Sequence, residues 1–178
     1  MDNAIYTEEN NVYQIDCSKA LWSSDCIHEV YHQSNVQLSD VDFIIEDENK
    51  IMLVEYKNAN IPNAVNPGGF NPCEDKKINS ILRKYYDSLH YLGLVEKTKP
   101  KEYIYILEYP NGDSTSRRML RNRIKPYLPF NLQNNMHKPE KMISKFSILS
   151  IEEWNNDEIY RNYPITKCEE VQSQQNNT

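Results

Sequence analysis

Two acidic residues and a lysine stand in neighbouring strand-like segments, where their side chains could act together on a phosphate ester. Asp42 belongs to the first segment, and Glu55 and Lys57 belong to the second. The turn-like residues 47–49 between the segments predict an antiparallel hairpin. In the register that this turn sets, Asp42 faces Glu55 directly, and facing side chains have Cβ atoms about 4.5–5.5 Å apart.

The facing carboxylates predict a metal site. Two such groups repel each other, and burial beside an apolar layer makes the pair more costly. A hard divalent cation removes the conflict, because Mg²⁺ prefers oxygen ligands and often binds one or two carboxylates together with water. We therefore expect Mg²⁺, or Mn²⁺, at this position. The alternative is a strand end that carries a surface aspartate and an ordinary Glu–Lys pair.

Lys57 extends the candidate site. It follows Glu55 by two residues, so the period of a strand puts both side chains on one face, with Asp40 opposite the lysine. A lysine in that position could orient or deprotonate an attacking water, or stabilise charge that develops on a phosphate. The three residues together predict a hydrolase that cleaves phosphodiester bonds.

The elements around this hairpin predict the fold. The hairpin segments are apolar on both faces, which is typical of strands inside a sheet that is covered on both sides. We predict one α/β domain over residues 1–168, with a mixed central sheet flanked by helices, and a frayed tail at 169–178. The predicted elements are a hairpin at 4–16, a helix at 18–34, the hairpin segments 40–46 and 50–57, a long loop at 58–75, a helix at 76–94, a strand at 102–109, a helix at 115–125 and a strand at 142–151.

The pattern of Asp42, followed by Glu55-Tyr56-Lys57 at the end of an apolar strand, resembles the PD-(D/E)XK nuclease superfamily. The resemblance covers roughly residues 20–110, includes the amphipathic helix after the motif, and implies a restriction-endonuclease-like fold. It implies that Asp42 and Glu55 bind the metal, that the backbone carbonyl of Tyr56 adds a ligand, and that Lys57 is the catalytic lysine.

The resemblance also implies an acidic metal ligand on the first helix, for which Glu29 is the first candidate and Asp25 the second. The sequence departs from the family at Val41, where a proline often precedes the aspartate. Family members usually have a strand between the first helix and the aspartate strand, and only residues 35–39 remain for it here. The hairpin at 4–16 is the alternative source of that strand.

Charge is distributed unevenly along the chain. Residues 1–75 carry a net charge of −11, residues 76–145 carry +9, and residues 146–178 carry −4. The basic middle segment could bind a polyanion such as DNA, and a solvated surface is the alternative. The residues that we expect to contact phosphates are Arg117, Arg121 and Lys125, on one line of a helix that faces away from Leu120 and Ile124, with Arg118 beside them, and Lys77 and Lys84 on one flank of the preceding helix.

Other metal motifs are weak. The four cysteines form no CxxC pair, and small buried thiols are the favoured interpretation. His28 and His32 have the spacing of a two-histidine site, but no HExxH motif contains them, so structural or surface roles are favoured.

Composition excludes several other classes. The chain has 178 residues and a net charge of −6, with enough tyrosine and phenylalanine to form a core. It contains neither a Gly-rich phosphate loop nor a run of 18 apolar residues, and its start lacks the pattern of a signal peptide, so we expect a cytoplasmic protein without a membrane partner. The prediction is a magnesium-dependent nuclease that hydrolyses phosphodiester bonds in DNA, with endonuclease and exonuclease action both open. A catalytically inactive module that binds nucleic acid or protein, and an RNA endonuclease, are the alternatives, and a homo-oligomer or a larger complex stays open.

Overall fold

A computed structural model of the protein describes residues 4–61, 67–136 and 141–168, which form eight β-strands and five α-helices. The strands are β1 (Ile5–Thr7), β2 (Tyr13–Asp16), β3 (Trp22–Ser24), β4 (Phe43–Glu46), β5 (Ile51–Asn58), β6 (Lys101–Glu108), β7 (Lys145–Leu149) and β8 (Ile165–Lys167). The helices are α1 (Ile27–Gln33), α2 (Asp75–Leu94), α3 (Ser114–Ile124), α4 (Phe130–Asn135) and α5 (Ile151–Asn156). The predicted tail and part of the predicted loop lie outside the described residues.

A mixed five-stranded sheet forms the centre of a single α/β domain, with strand order β3-β4-β5-β6-β7. β4 is antiparallel to β3 and β5, whereas β5, β6 and β7 run parallel. Buried side chains of α1, α2 and α3 cover one face, and side chains of α5 and of a second, smaller sheet cover the other. The predicted α/β class with a mixed central sheet flanked by helices is therefore confirmed.

The smaller sheet has the order β1-β2-β8, and all its pairs are antiparallel. The hairpin predicted at 4–16 is confirmed, because β1 and β2 pair directly. This hairpin does not join the central sheet. It packs on the central sheet through Ile15, together with Ile165 of β8.

The β4–β5 hairpin has the predicted register, with Phe43 paired to Val54 and Glu46 paired to Ile51. β4 is shorter than predicted, since it begins at Phe43, and Asp42 immediately precedes it. Side chains alternate strictly between the two faces of the sheet only from Phe43 onward. Val41, predicted on the face of Phe43, instead lies in the opposite cluster, where its N–H donates to Ser88 Oγ at 3.0 Å.

The helix predicted at 18–34 is wrong over its first half. Residues Trp22–Ser24 form β3, which pairs with β4 and takes the outer position of the central sheet, and α1 begins only at Ile27. No strand forms between α1 and β4. The sheet position next to the aspartate strand is thus taken by a strand that precedes the first helix, because β4 has a free edge that β3 satisfies with its backbone groups.

The two helices on either side of β6 are confirmed within one or two residues. α2 buries a stripe that includes Ile78, Ile81 and Tyr85. Asp113 begins α3 with a reciprocal capping box to Ser116. Among the helices of the described residues, none combines the length and the apolar character needed to cross a membrane.

The last predicted strand was too long. β7 ends at Leu149, and Ser150 then caps α5, with its side chain accepting the N–H of Glu153 and the Glu153 carboxylate accepting the N–H of Ser150. A serine followed three residues later by a glutamate is a sequence signature of such a helix start.

Candidate active site

Asp42 and Glu55 meet where β4 begins, on the face of the sheet that α2 covers. The Asp42 carboxylate accepts the backbone N–H of Tyr56 through Oδ2 at 2.6 Å, which fixes its position beside β5. The Glu55 side chain is only 9% exposed, whereas that of Asp42 is 35% exposed. The register predicted from the turn therefore brings one buried and one partly open carboxylate together.

Lys84 of α2 is the lysine that contacts this pair. Its Nζ lies 2.8 Å from Glu55 Oε1 and 3.9 Å from Asp42 Oδ1. The apolar stripe of α2 turns Ile81 and Tyr85 toward the sheet, and Lys84 stands at the margin of that stripe, so its ammonium reaches the carboxylates. The sequence prediction placed Lys84 on a phosphate-binding flank, and its contact with the pair was missed.

The residues that lead into β4 are held against α2 by hydrogen bonds. Asp87 Oδ2 accepts the N–H of Ser39 at 2.7 Å, and Ser88 Oγ accepts the N–H of Val41 at 3.0 Å. These contacts hold the residues before β4 close to α2. They therefore set where the Asp42 side chain can lie.

Burial and mutual repulsion disfavour ionisation of the two carboxyl groups. Burial raises the pKa of Glu55 well above its usual range, and the Asp42 carboxylate raises it further, while Lys84 opposes both effects. Burial also raises the pKa of Asp42 against the lowering effect of Lys84. Burial alone would lower the pKa of Lys84, but the Glu55 and Asp42 carboxylates outweigh it and raise that pKa, so the ammonium stays charged.

Lys57, the catalytic lysine implied by the family resemblance, pairs with a different carboxylate. Its Nζ lies 3.6 Å from Oε1 of Glu9, and its side chain is 46% exposed. Lys57 is near the end of β5, beyond the residues that β4 pairs, so its long side chain extends into solvent. The predicted role of Lys57 stays a prediction.

An open cleft of about 610 Å³ lies beside the pair. Its charged or titratable lining residues are Glu8, Glu9, Asp25, His28, Asp40, Asp42 and Lys84. Asp25, the second candidate for the additional acidic ligand, borders this cleft. Glu29, the first candidate, is exposed on α1 outside the cleft lining, because Ile27 and Tyr31 are the residues that α1 turns inward. The rings of His28 and His32 stack with centroids 6.2 Å apart, and His28 Nδ1 lies 3.3 Å from Asp40 Oδ1.

The donor set fits a hard divalent cation in one respect. Glu55 Oε2 is buried and accepts no hydrogen bond, and a buried carboxylate oxygen without a partner is costly unless a cation or a donor reaches it. Within residues 4–61, 67–136 and 141–168, no three His, Cys, Asp or Glu side chains are grouped closely enough to hold a metal ion. A cation here would thus bind Asp42 and Glu55 and take its remaining ligands from water or from backbone carbonyls such as that of Tyr56.

The residues predicted to contact phosphates differ in exposure and in the groups that they contact. Arg118 and Lys125 are exposed on the surface, whereas Arg121 is half-buried. Lys77 lies near Glu74 and over the ring of Phe70, where its Nζ donates to Asn71 O at 3.1 Å.

Arg117 was wrongly predicted to lie on the exposed face of α3. It is buried, and its Nε donates to Glu153 Oε2 at 3.0 Å. A helix turns about 100° per residue, so Ile124, seven residues later, returns to almost the same side as Arg117. The arginine consequently lies on the apolar side of the helix and joins α3 to the start of α5.

We predict that Arg117→Glu destabilises the fold by about 1.5–3 kcal/mol, because it removes the hydrogen bond of the buried arginine to the partly exposed Glu153 and sets two carboxylates against each other. Urea denaturation followed by circular dichroism measures this effect. The adjacent substitution Arg118→Glu is the matched control, and we expect it to stay within about 0.5 kcal/mol of wild type because Arg118 is exposed. Equal stabilities of the two variants would contradict the structural role of Arg117.

Comparison with known proteins found no protein-family model, curated protein or solved structure that matches this chain. The resemblance to the PD-(D/E)XK superfamily therefore stays a prediction from the motif around Asp42 and Glu55. Functional inference rests on the geometry of the site itself.

Proposed function

We propose that this protein is a divalent-metal-dependent hydrolase of phosphodiester bonds, and specifically a DNA endonuclease. The observation that carries the proposal is the Asp42–Glu55 pair beside an open cleft, with a buried Glu55 oxygen that accepts no hydrogen bond. Two hard oxygen donors held by neighbouring strands suit Mg²⁺ or Mn²⁺.

In this proposal each residue has a defined task. Asp42, held by the N–H of Tyr56, and Glu55 bind the cation. When bound, Mg²⁺ would supply Lewis-acid polarisation of a phosphate and a water of lowered pKa. Lys57 approaches the substrate phosphate from the end of β5. The exposed residues Arg118 and Lys125 contact the DNA backbone at a distance from the site.

A substrate panel tests the proposal. Supercoiled plasmid, linear duplex, single-stranded DNA and RNA are incubated with Mg²⁺, with Mn²⁺ or with EDTA, and the products are separated on gels. We expect nicking of circular DNA that requires the metal, and circular DNA has no ends for an exonuclease. Cleavage of RNA alone would favour the RNA endonuclease, and intact substrates in every lane would contradict a nuclease of either kind.

One contact favours a second candidate, a module that binds nucleic acid or a protein without cleaving it. The Lys84 ammonium already neutralises part of the carboxylate pair without a metal, as a structural ion pair would. Such a module would bind DNA equally well in EDTA and would leave it intact. For both candidates we propose a cytoplasmic location.

We also expect Mn²⁺ to raise the melting temperature, since a ligand that binds the native state stabilises it. At a free concentration about 100 times the dissociation constant, the gain is about 2.7 kcal/mol, or roughly 5–10 °C for a chain of this size. Asp42→Asn should remove most of this shift. Asp75→Asn is the control, since Asp75 is exposed and pairs with Arg123 elsewhere on the surface. A full Mn²⁺ shift in the Asp42 variant would exclude Asp42 as a ligand.

A further inference from the structure

Lys84 places its ammonium beside both carboxylates of the proposed cation site. The Nζ atom is in hydrogen-bond contact with Glu55 Oε1 and within ion-pair distance of Asp42 Oδ1. Among the described residues that line the cleft, Lys84 is also the single lysine. One side chain thus contacts both proposed metal ligands and borders the space through which a substrate would reach them.

We propose that Lys84 is a built-in competitor of the divalent cation, which holds the Asp42–Glu55 pair in the resting protein and releases it when the cation binds. The inference rests on the proposed metal site. It follows from charge and space: an ammonium and a divalent ion close to the same two carboxylates repel each other strongly where solvent screens little. Lys84 contacts Glu55 Oε1 and the cation would bind the free Oε2, so this repulsion acts across a single carboxylate and binding of one cation weakens binding of the other.

The cleft offers the released ammonium other partners. The lysine side chain is flexible, with four methylene groups, and its neighbourhood includes the Asp40 carboxylate, which already acts on Lys84 electrostatically. Asp40 borders the same cleft. A shift of Lys84 from Glu55 toward Asp40 would exchange one ion pair for another and leave the ammonium charged inside the cleft, near an entering phosphate.

Metal titration of matched variants tests the competition. Free Mn²⁺ is measured by electron paramagnetic resonance at pH 8 for wild type, Lys84→Gln, Lys57→Gln and Glu55→Gln. Glutamine at position 84 keeps a hydrogen-bond donor but removes the charge, so we expect about tenfold tighter Mn²⁺ binding. Lys57→Gln should bind as wild type does, because that ammonium pairs with Glu9. Unchanged or weaker binding by Lys84→Gln would overturn the inference.

A second measurement needs no variant. Lysines of the wild-type protein are acetylated with and without saturating Mg²⁺, and modification is quantified by mass spectrometry. We expect modification of Lys84 to rise severalfold with Mg²⁺. Lys50 is the internal control, since it is also mostly buried and pairs with Glu102 at 2.9 Å outside the cleft lining. Equal or lower modification of Lys84 in Mg²⁺ would show that the ammonium stays on the pair.

These results separate the inference from the proposed function. Competition at the pair without any cleavage of nucleic acid would support the role of Lys84 and contradict the nuclease. Mn²⁺ binding that Lys84→Gln leaves unchanged, but that Glu55→Gln abolishes, would support the metal site and contradict the competition. Wild-type Mn²⁺ binding that Glu55→Gln retains would contradict both.

Discussion

Glu55→Gln should lower metal-dependent cleavage of plasmid DNA by about 10²-fold or more, because loss of a metal ligand weakens a cation that stabilises the transition state by several kcal/mol. The amide has the size of the carboxylate, and its oxygen can still accept the hydrogen bond from Lys84. It lacks the negative charge with which Glu55 would bind a hard cation. The variant therefore tests the charge at this position while it preserves the packing around it.

The control for this effect is Glu9→Gln. Glu9 borders the same cleft, but its side chain is 76% exposed, so we expect a much smaller change in the initial rate of nicking. Rates are compared at equal Mg²⁺ concentration, after circular dichroism has established that both variants fold. Cleavage by Glu55→Gln at the wild-type rate would refute the assignment of the pair as the active site.

Trp154→Ala should destabilise the protein by about 3–5 kcal/mol, the cost of removing a large aromatic side chain from a core. Trp154 is fully buried, stacks on Tyr160 with ring centroids 4.6 Å apart, and donates its indole N–H to the carbonyl of Tyr163 at 2.7 Å. The substitution leaves a cavity and an unpaired carbonyl together. It should loosen the cover that α5 forms over one face of the central sheet.

The measurement is urea denaturation followed by far-ultraviolet circular dichroism, with a thermal scan beside it. For a chain of this length the loss corresponds to roughly 6–20 °C in the melting temperature. Met119→Ala is the control, since Met119 is 67% exposed and should change stability by less than about 0.5 kcal/mol. A Trp154→Ala variant as stable as Met119→Ala would contradict the role of the Trp154 side chain in packing α5 on the central sheet.

The sequence by itself determined the hairpin that brings the two carboxylates together. A turn at 47–49 between two apolar segments predicts both the pairing and its register, because the contacts involved are local and the side-chain period of a strand is two. The stripe of apolar residues in α2 is a local signal of the same kind. The hairpin register and the α2 helix were both confirmed at or within a residue or two of the predicted position.

Sequence patterns of the same local kind did not predict every element. Residues Trp22–Ser24 pair with β4 as a strand because that strand has a free edge, although the segment reads as part of a helix. The buried position of Arg117 depends on its partner Glu153, which arrives from a distant helix. In both cases the deciding contact joins residues that are far apart in the chain.

Tertiary structure also decided which lysine joins the carboxylates. Lys57 is two residues from Glu55 and shares its face, yet its long side chain turns outward to Glu9. Lys84 is on another element, and it reaches Glu55 only because α2 packs across β5 and turns that side of the helix toward the pair. Spacing along a strand sets the face on which a side chain starts. The rotation of α2 about its axis and its height above the sheet decide which lysine ammonium reaches the carboxylates. Packing of the whole core fixes this rotation and this height.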